Sequence, residues 1–465
     1  MGLFESFAGA PTLDLGLYDP SATSRAARAS RHVAKVARVA QHLRARTGTK
    51  PVSFRKRAVA HQVPKHGDLR RSDDKVDLTD LDEILEIDPD ARTCVAEPGA
   101  TFAAVARATL RYGLVPMVVP EFKTITLGGA VAGCSLESMS YKYGGFHDGC
   151  TAYEIVTAKG EVLQCTPDNE HALVFQMVHG SFGTLGVLTK LTFRLVPAKP
   201  FVRMRYERSR SVEEYRASIA RNAADGAVDF LDGFVFSPTE YVLNVGTFVD
   251  RAPYTTSYDW YRVFYESART RSQDYLTTEG YFFRYDNGVT NVHPKTALGR
   301  LFFGKVLHSA NLFRLAERFH IALPKQPNDV TLDMFLPESR LDAYLSWHAR
   351  ALAHYPLWVV PYKRVRDYEW IASAFFAGMT DEMFIDLAIY GMPQPAGRNC
   401  YREIEEQLES VNGIKTLISY NYYERDEFWR IFNKPNYDAV KRITDPDNAF
   451  RDLYEKMCRA ARGLG

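Results

Sequence analysis

The sequence predicts a mixed α+β chain folded as two subdomains, and three observations predict it. At 465 residues the chain exceeds one compact core and suits two or three subdomains. Residues 50–200 read as short β-prone runs alternating with helical ones. Residues 201–410 change character and become rich in Tyr, Phe and Trp.

The first element is a basic helix within a region spanning residues 1–50. No acidic residue occurs between Asp19 and Asp68, and Arg25, Arg28, Arg31, Lys35 and Arg38 recur at helical spacing. Val33, Val36, Ala40 and Leu43 fall on the other side. Two readings stand: a surface helix packed by its Val/Leu stripe with a solvated basic face, or a monotopic contact with a membrane.

The next subdomain runs over residues 51–200. Pro51–Lys56 is a strand, and Val76–Asp88 a short strand and turn ending at Asp-Pro-Asp. Thr93–Ala96 is β-prone and is closed by Glu97-Pro98-Gly99-Ala100. A helix from Thr101 to Tyr112 is capped by Gly113. Leu114–Val119 is a strand that Pro120 stops. Tyr153–Ala158 and Val162–Cys165 flank Lys159-Gly160 as a hairpin, and Val187–Val196 alternates as a strand.

Residues 201–415 form the aromatic-rich second subdomain. Strands are expected at Phe230–Phe236, Tyr241–Val249, Leu357–Pro361 and Met383–Tyr390. Such a composition fits either a plain aromatic core or the cover of a large apolar pocket. Residues 416–465 read as a strand followed by helices.

Composition excludes several function classes. The formal net charge of +2 gives no electrostatic basis for nucleic-acid binding. The six cysteines are scattered without a C-x-x-C pair, which argues against a zinc site and a disulfide framework and for a reducing compartment. No apolar run approaches the roughly 18–20 residues of a membrane span, and the first residues lack a signal-peptide pattern. The expected location is cytoplasmic, with at most peripheral membrane contact.

The chemistry concentrates in T-I-T-L-G-G-A-V-A-G, Thr124 to Gly133, continuing through Ser135, Ser138 and Ser140 to Tyr143 and Gly144. Small residues at Gly128, Gly129, Ala130, Ala132 and Gly133 let a backbone approach a ligand closely. Read as a loop, the run would form an anion nest of backbone N–H groups suited to a pyrophosphate. The glycine spacing does not match the G-x-G-x-x-G of a nicotinamide dinucleotide fold, and neither does Gly180-Ser-Phe-Gly183-Thr-Leu-Gly186, which an alternating strand follows.

That run resembles the FAD-binding domain of vanillyl-alcohol-oxidase/p-cresol-methylhydroxylase-type flavoproteins. With it go E-S-M-S-Y-K-Y-G (Glu137–Gly144), T-A-Y-E-I-V-T-A-K-G (Thr151–Gly160) and H-G-S-F-G-T-L-G (His179–Gly186). Later segments are similar to one branch, the Δ24-sterol reductases: P-A-K-P at Pro197, H-Y-P-L-W-V-V-P at His354, F-I-D-L-A-I-Y-G at Phe384 and Y-x-x-x-E-F-W at Tyr423. The resemblance runs in order over residues 51–460. It implies a two-subdomain FAD-binding fold with an α/β cap and a C-terminal segment returning to the FAD domain.

It also implies FAD contacts. Thr124, Thr126, Leu127, Gly128, Gly129, Gly133, Glu137, Ser138 and Ser140 would wrap the pyrophosphate and ribityl moiety. Tyr143 and Gly144 would lie beside the adenosine, and the backbone at Glu154–Val156 would touch the adenine. The family's glycine-rich first phosphate loop is here Arg57-Ala-Val-Ala-His61, without its glycines. Lys56 and Arg57 could offset that loss by charge, while His61 would contact phosphate or solvent in a non-covalent flavin complex, the alternative being the covalent flavin link known in some relatives.

The activity so implied is reduction of a carbon–carbon double bond in the side chain of a sterol or isoprenoid-like lipid, with NADPH as a transient reductant of the flavin. An isolated alkene carries no polarising carbonyl, so its reduction starts with a proton and ends with a hydride. Tyr420 and Tyr423 are the expected proton donors, with Lys363 and Tyr390 behind them. Two alternatives remain: an alcohol or sugar-alcohol oxidase or dehydrogenase of the same fold, and a non-catalytic flavin-dependent scaffold. The oligomeric state is not readable from the sequence.

Overall fold

A computed structural model describes residues 18–57, 72–259, 262–286, 288 and 329–463. The fold is α+β, and antiparallel sheets organise both halves. His61 and the rest of the segment 58–71 lie outside the described residues.

Helix α1 spans Ala22–Arg44, and the Ser21 hydroxyl caps it by accepting the Ser24 N–H. Its apolar stripe runs through Val36, Val39, Ala40 and Leu43, which pack on Val156 and Val187. Val33 points away and is 67% exposed, because the buried face is centred on Val39 rather than on Val33. The basic face is ion-paired, with the outer arginine side chains still about half exposed. Arg31 pairs with Glu83 at 2.8 Å, Lys35 bridges Glu83 (3.0 Å) and Glu97 (2.9 Å), and Arg25 pairs with Glu86. Buried Arg28 donates to the Leu85 carbonyl at 3.1 Å. The positive charge read as a basic patch is therefore met by acids and carbonyls of the strand it covers. Among the described residues no helix is long and apolar enough to cross a membrane.

Strands β1 (Val52–Arg55) and β2 (Asp74–Asp77) form a parallel pair. The first sheet is built from β3 (Ile84–Asp88), β4 (Thr93–Ala96), β5 (Leu114–Pro116), β6 (Cys150–Val156), β7 (Val162–Cys165) and β8 (Val187–Pro197). Its order is β3-β4-β8-β6-β7, with β5 pairing β8. Helix α2 (Phe102–Leu110) is capped by Thr101, and the backbone leaves it at Gly113 with φ +66°. The expected hairpin between β6 and β7 closes through Gly160 at φ +73°. The stretch 127–133 is not a loop. It is a short helix, α3 (Leu127–Gly133), because the Thr126 hydroxyl accepts the Gly129 N–H and starts a turn that alanines and glycines continue.

The second sheet holds β9 (Phe201–Ser209), β10 (Phe230–Ser237), β11 (Glu240–Val249), β12 (Gln273–Thr277), β13 (Asp329–Pro337), β14 (Leu357–Lys363), β15 (Met383–Pro393) and β16 (Ile414–Lys415). The order is β12-β9-β11-β10-β14-β15-β13-β16. Alternation gives it two faces. Leu231, Leu332, Met334, Leu336, Val359, Ile385 and Leu387 pack under helices contributing Tyr215, Tyr344 and Ile404. The other face carries Phe230, Phe234, Trp358, Val360, Tyr362 and Phe384 and joins the core of the first sheet.

The expected strand after residue 416 is absent. The backbone runs irregularly from Thr416 to the helix Arg425–Ile431, then through the helices Lys434–Thr444 and Leu453–Met457. Buried Asn421 is the cause. Its Nδ2 donates to the carbonyls of Ser419 (3.0 Å) and Met457 (3.1 Å), and its Oδ1 accepts Lys415 Nζ at 2.6 Å. A side-chain amide that satisfies local backbone groups competes with a sheet ladder.

Candidate active site

A cavity opens where three parts of the protein meet. The first subdomain contributes Gly133, Cys134, Leu136, His147, Gly180 and Phe182. The inner face of the second sheet contributes Phe335, Tyr362 and Phe384, and the loop after β14 contributes Arg364, Tyr368 and Trp370. The C-terminal part adds Ile414–Leu417 and Phe432. The lining is mainly aromatic and aliphatic, and its polar groups are few and placed. The Tyr368 hydroxyl donates to Asp148 Oδ2 at 3.0 Å and also meets the Tyr362 hydroxyl. Arg366 holds the other Asp148 oxygen at 3.1 Å. His147 is buried with its Nε2 3.5 Å from Asp148 Oδ2, and among the described residues neither its ring nitrogens nor the Trp370 Nε1–H has a hydrogen-bond partner. Burial holds the His147 pKa below the ordinary histidine value, so the ring is neutral.

Helix α3 faces this space with glycines, and the two kinds of glycine differ. A Cβ on Gly128 would stand 2.6 Å from the Pro98 Cβ, so Gly128 serves close packing. On Gly129 it would meet only Thr126 Oγ1, at 3.1 Å, and on Gly133 only the Phe182 ring edge, at 3.9 Å. Gly133 thus leaves room at the cavity, as a group lying flat against the helix requires, while a side chain at Gly129 would press on the Thr126 hydroxyl that caps α3. The expected anion nest is not formed there. The N–H groups of Leu127 (to Ala100 O, 3.0 Å), Gly128 (to Pro98 O, 2.8 Å), Gly129 (to Thr126 Oγ1, 3.3 Å) and Ala130 (to Thr126 O, 2.9 Å) are all satisfied within the fold.

The other expected contact residues scatter in role. Thr124 sits in the turn that leads into α3. Glu137 and Ser138 are buried and their side chains join the two subdomains. Arg284 donates to Glu137 Oε1 at 2.8 Å, and Tyr281 donates to Ser138 Oγ at 2.9 Å. Ser140 Oγ accepts the Glu137 N–H at 3.0 Å. Half-buried Tyr143 precedes Gly144, whose φ of +80° sets the turn over Asp148. Val156 is buried beneath α1. Exposed Arg57 pairs with Asp82 at 2.8 Å beside Lys56, and His61 is not among the described residues.

Tyr420 and Tyr423 do not line the cavity. Without a strand after residue 416, the alternation that would have turned one of the two inward and the other outward does not exist. Tyr420 packs on Tyr401 (5.6 Å between ring centroids), and buried Tyr423 accepts the Lys415 N–H at 3.4 Å. Lys363 ends β14 exposed.

What sequence reasoning missed is a set of acids on the inner face of the second sheet. Asp232, Asp333 and Asp386 occupy three strands of that otherwise apolar face. Asp232 Oδ2 accepts from Arg284 (2.9 Å), Tyr285 (2.6 Å) and Trp358 (3.1 Å). Asp333 meets the Tyr390 hydroxyl and Asp386 the Met334 N–H, but neither pairs with a cation among the described residues, and the Oδ1 of each, like that of Asp232, has no hydrogen-bond partner there. Glu121 and Tyr390 stand within electrostatic reach of both. Burial raises the Glu121 carboxyl to about 8 and the Asp333 carboxyl to about 6. Burial and the neighbouring acids push Asp386 far above the carboxylate range. A signal did exist: one Asp inside each of the apolar runs T-L-D-M-F-L and F-I-D-L-A-I-Y.

Residues 29–166 match the family described as "FAD binding domain". Along most of its length the protein is similar to Δ24-sterol reductases. The human enzyme is 28% identical over 405 residues, covering 83% of this chain and 78% of that protein. The Arabidopsis thaliana enzyme is 27% identical over 432 residues, covering 82% and 76%. Cytokinin dehydrogenase 9 of rice is 28% identical over 152 residues, 32% of this chain and 29% of that protein. The resemblance read from the sequence thus holds: an FAD-binding domain joined to segments shared with sterol reductases.

Proposed function

We propose that this protein, an FAD-dependent oxidoreductase, reduces a carbon–carbon double bond in the side chain of a sterol or isoprenoid-like lipid, with NADPH as the transient reductant. One observation carries the reading: an aromatic-lined cavity bounded by the flavin domain, the inner face of the second sheet and the C-terminal segment, with protonatable groups at its wall. The names of the relatives that match over most of the sequence support the substrate class.

FAD fits the residues present. The room over Gly133 suits a flat ring system, and the His147 ring and the Trp370 Nε1–H, which lack hydrogen-bond partners among the described residues, suit its polar edges. In this proposal Thr124, Thr126 and Leu127–Gly133 form one wall for FAD. Tyr143, Gly144 and the Val156 backbone flank its adenosine half, and Lys56, Arg57 and His61 lie toward the phosphates. Bound there, reduced FAD supplies the hydride.

The protein supplies the rest. The phenylalanines, Trp370 and Leu417 exclude water and align an apolar substrate. An acid at the wall protonates the less substituted alkene carbon, leaving the tertiary cation to accept hydride. The sequence carries no second nucleotide motif, so the nicotinamide donor would use the same cavity before the lipid enters.

Anaerobic reduction of the flavin by NADPH and its reoxidation by a Δ24-unsaturated sterol test this reading. Bleaching by polyols without NADPH, or a colourless protein that takes up no FAD, would refute it. Gly133→Val should fold and lose FAD, read as the visible absorbance of the purified protein. A fully yellow Gly133→Val protein would misplace the flavin.

A further inference from the structure

Asp333 of β13 lies opposite Ala388 of β15, and Asp386 lies opposite Phe335. The two aspartates are therefore diagonal neighbours on one face, about 7–8 Å apart at Cα. Tyr390 is the other diagonal neighbour of Asp333, and its hydroxyl reaches that carboxyl. Asp386 is 3% exposed and accepts the Met334 N–H, and among the described residues its Oδ1 and the Asp333 Oδ1 have no hydrogen-bond partner. Glu121 approaches from the turn before α3. Glu121, Asp333 and Tyr390 are partly buried on the face that Phe335 and Phe384 share. Their strand neighbours Phe335 and Phe384 line the cavity, and the Thr416 N–H that donates to the Asp333 carbonyl at 2.9 Å belongs to a cavity residue too.

The nearest cation gives these acids little. Arg284 spends its guanidinium on Glu137 and Asp232. Carboxyl groups that are buried, mutually close and without a paired cation keep a proton, because ionising all of them would leave uncompensated charge in a low dielectric. A neutral carboxylic acid is a far stronger proton donor than a tyrosine.

On the reading of the function above, we propose that Asp386 and Asp333, flanked by Tyr390 and Glu121, hold the proton delivered to the substrate double bond. As the carboxyl O–H bond breaks, a C–H bond forms at the less substituted carbon. The second C–H bond takes a hydride, with its electron pair, from reduced FAD. The carboxylate left behind recovers its proton from water, and the two electrons are restored by the nicotinamide donor.

The groups facing the pair are Glu121, Tyr390, Glu137 and Arg284. Alkene-driven reoxidation of the photoreduced, FAD-loaded protein is therefore expected to fall as pH rises and the pair ionises. In Asp386→Asn or Asp333→Asn it is expected to slow by about a hundredfold or more. Infrared spectra of the FAD-loaded protein at about pH 7 should show protonated-carboxyl C=O absorption, part of which Asp386→Asn removes and Asp333→Asn alters. Where Asp386→Asn does not fold, Asp333→Asn and Glu121→Gln carry the same readouts. Reoxidation within about threefold of wild type in every variant, or no band that responds to them, overturns the assignment. A wild-type protein that shows the band but is inert to every alkene overturns the proposed function and the delivery step together. A reactive enzyme with insensitive variants overturns the acid alone.

Discussion

Two places on one sheet face bury aspartate, and they do it in opposite ways. Asp232 is held by Arg284, Tyr285 and Trp358, in a network that ties Glu137 of the first subdomain to the second sheet. Asp333 and Asp386, on strands farther along the same sheet, have no ion-paired cation among the described residues. A buried carboxylate can be stabilised by a paired cation and donors, or the group can keep its proton. The first arrangement suits a joint between subdomains. The second makes a poor joint and a serviceable acid, and it adjoins the cavity.

That contrast can be broken from its strong side first. Arg284→Met should cost about 3–5 kcal/mol, because it leaves Glu137 and Asp232 buried without a cation. Thermal melts read this, and an unchanged Tm would mean that the joint is not held by this guanidinium. Asp232→Asn removes one acceptor of Arg284 and should cost about 1–3 kcal/mol. Asp386→Asn breaks no ion pair of the described residues and should leave the urea midpoint near wild type or above it. Equal losses in both variants would erase the distinction.

The pH dependence sharpens it further. The Glu121 carboxyl is raised from 4.5 to about 8, so the folded state holds a proton that the unfolded state releases. Its contribution to stability is present in full below about 4.5 and is lost as pH rises through about 8. Glu121→Gln should flatten the fall in urea midpoint across that window, and an unaltered slope would place the proton elsewhere. The smallest effect belongs to a third kind of pair. Arg31 and Glu83 meet at 2.8 Å on α1, where Arg31 is half exposed. Arg31→Ala should cost no more than about 1 kcal/mol by urea denaturation.

Much of the scaffold is legible in local pattern. Thr93–Ala96, the β6–β7 turn at Lys159-Gly160, the long alternation of β8 and the helix capped by Thr101 all follow from periodicity and punctuation. The misreadings share a cause. The run of small residues from Leu127 reads as a loop because glycines open turns, yet Thr126 caps it into a helix. Residues 416–424 alternate as a strand would, yet Asn421 and Lys415 hold them in a buried polar knot. In both places a hydrogen bond from side chain to backbone overrode propensity.

The sequence by itself determined the fold class, the small-residue run and the resemblance to FAD-binding sterol reductases, because each is written in contiguous residues. Only the tertiary structure decided which acids act together. Glu121 lies far in sequence from Asp333 and Asp386, and a lone Asp in an apolar strand reads the same whether an arginine meets it or not. Whether it carries a charge or a proton depends on what the other strands and the turn before α3 bring to it, and that is set by how the sheets pack.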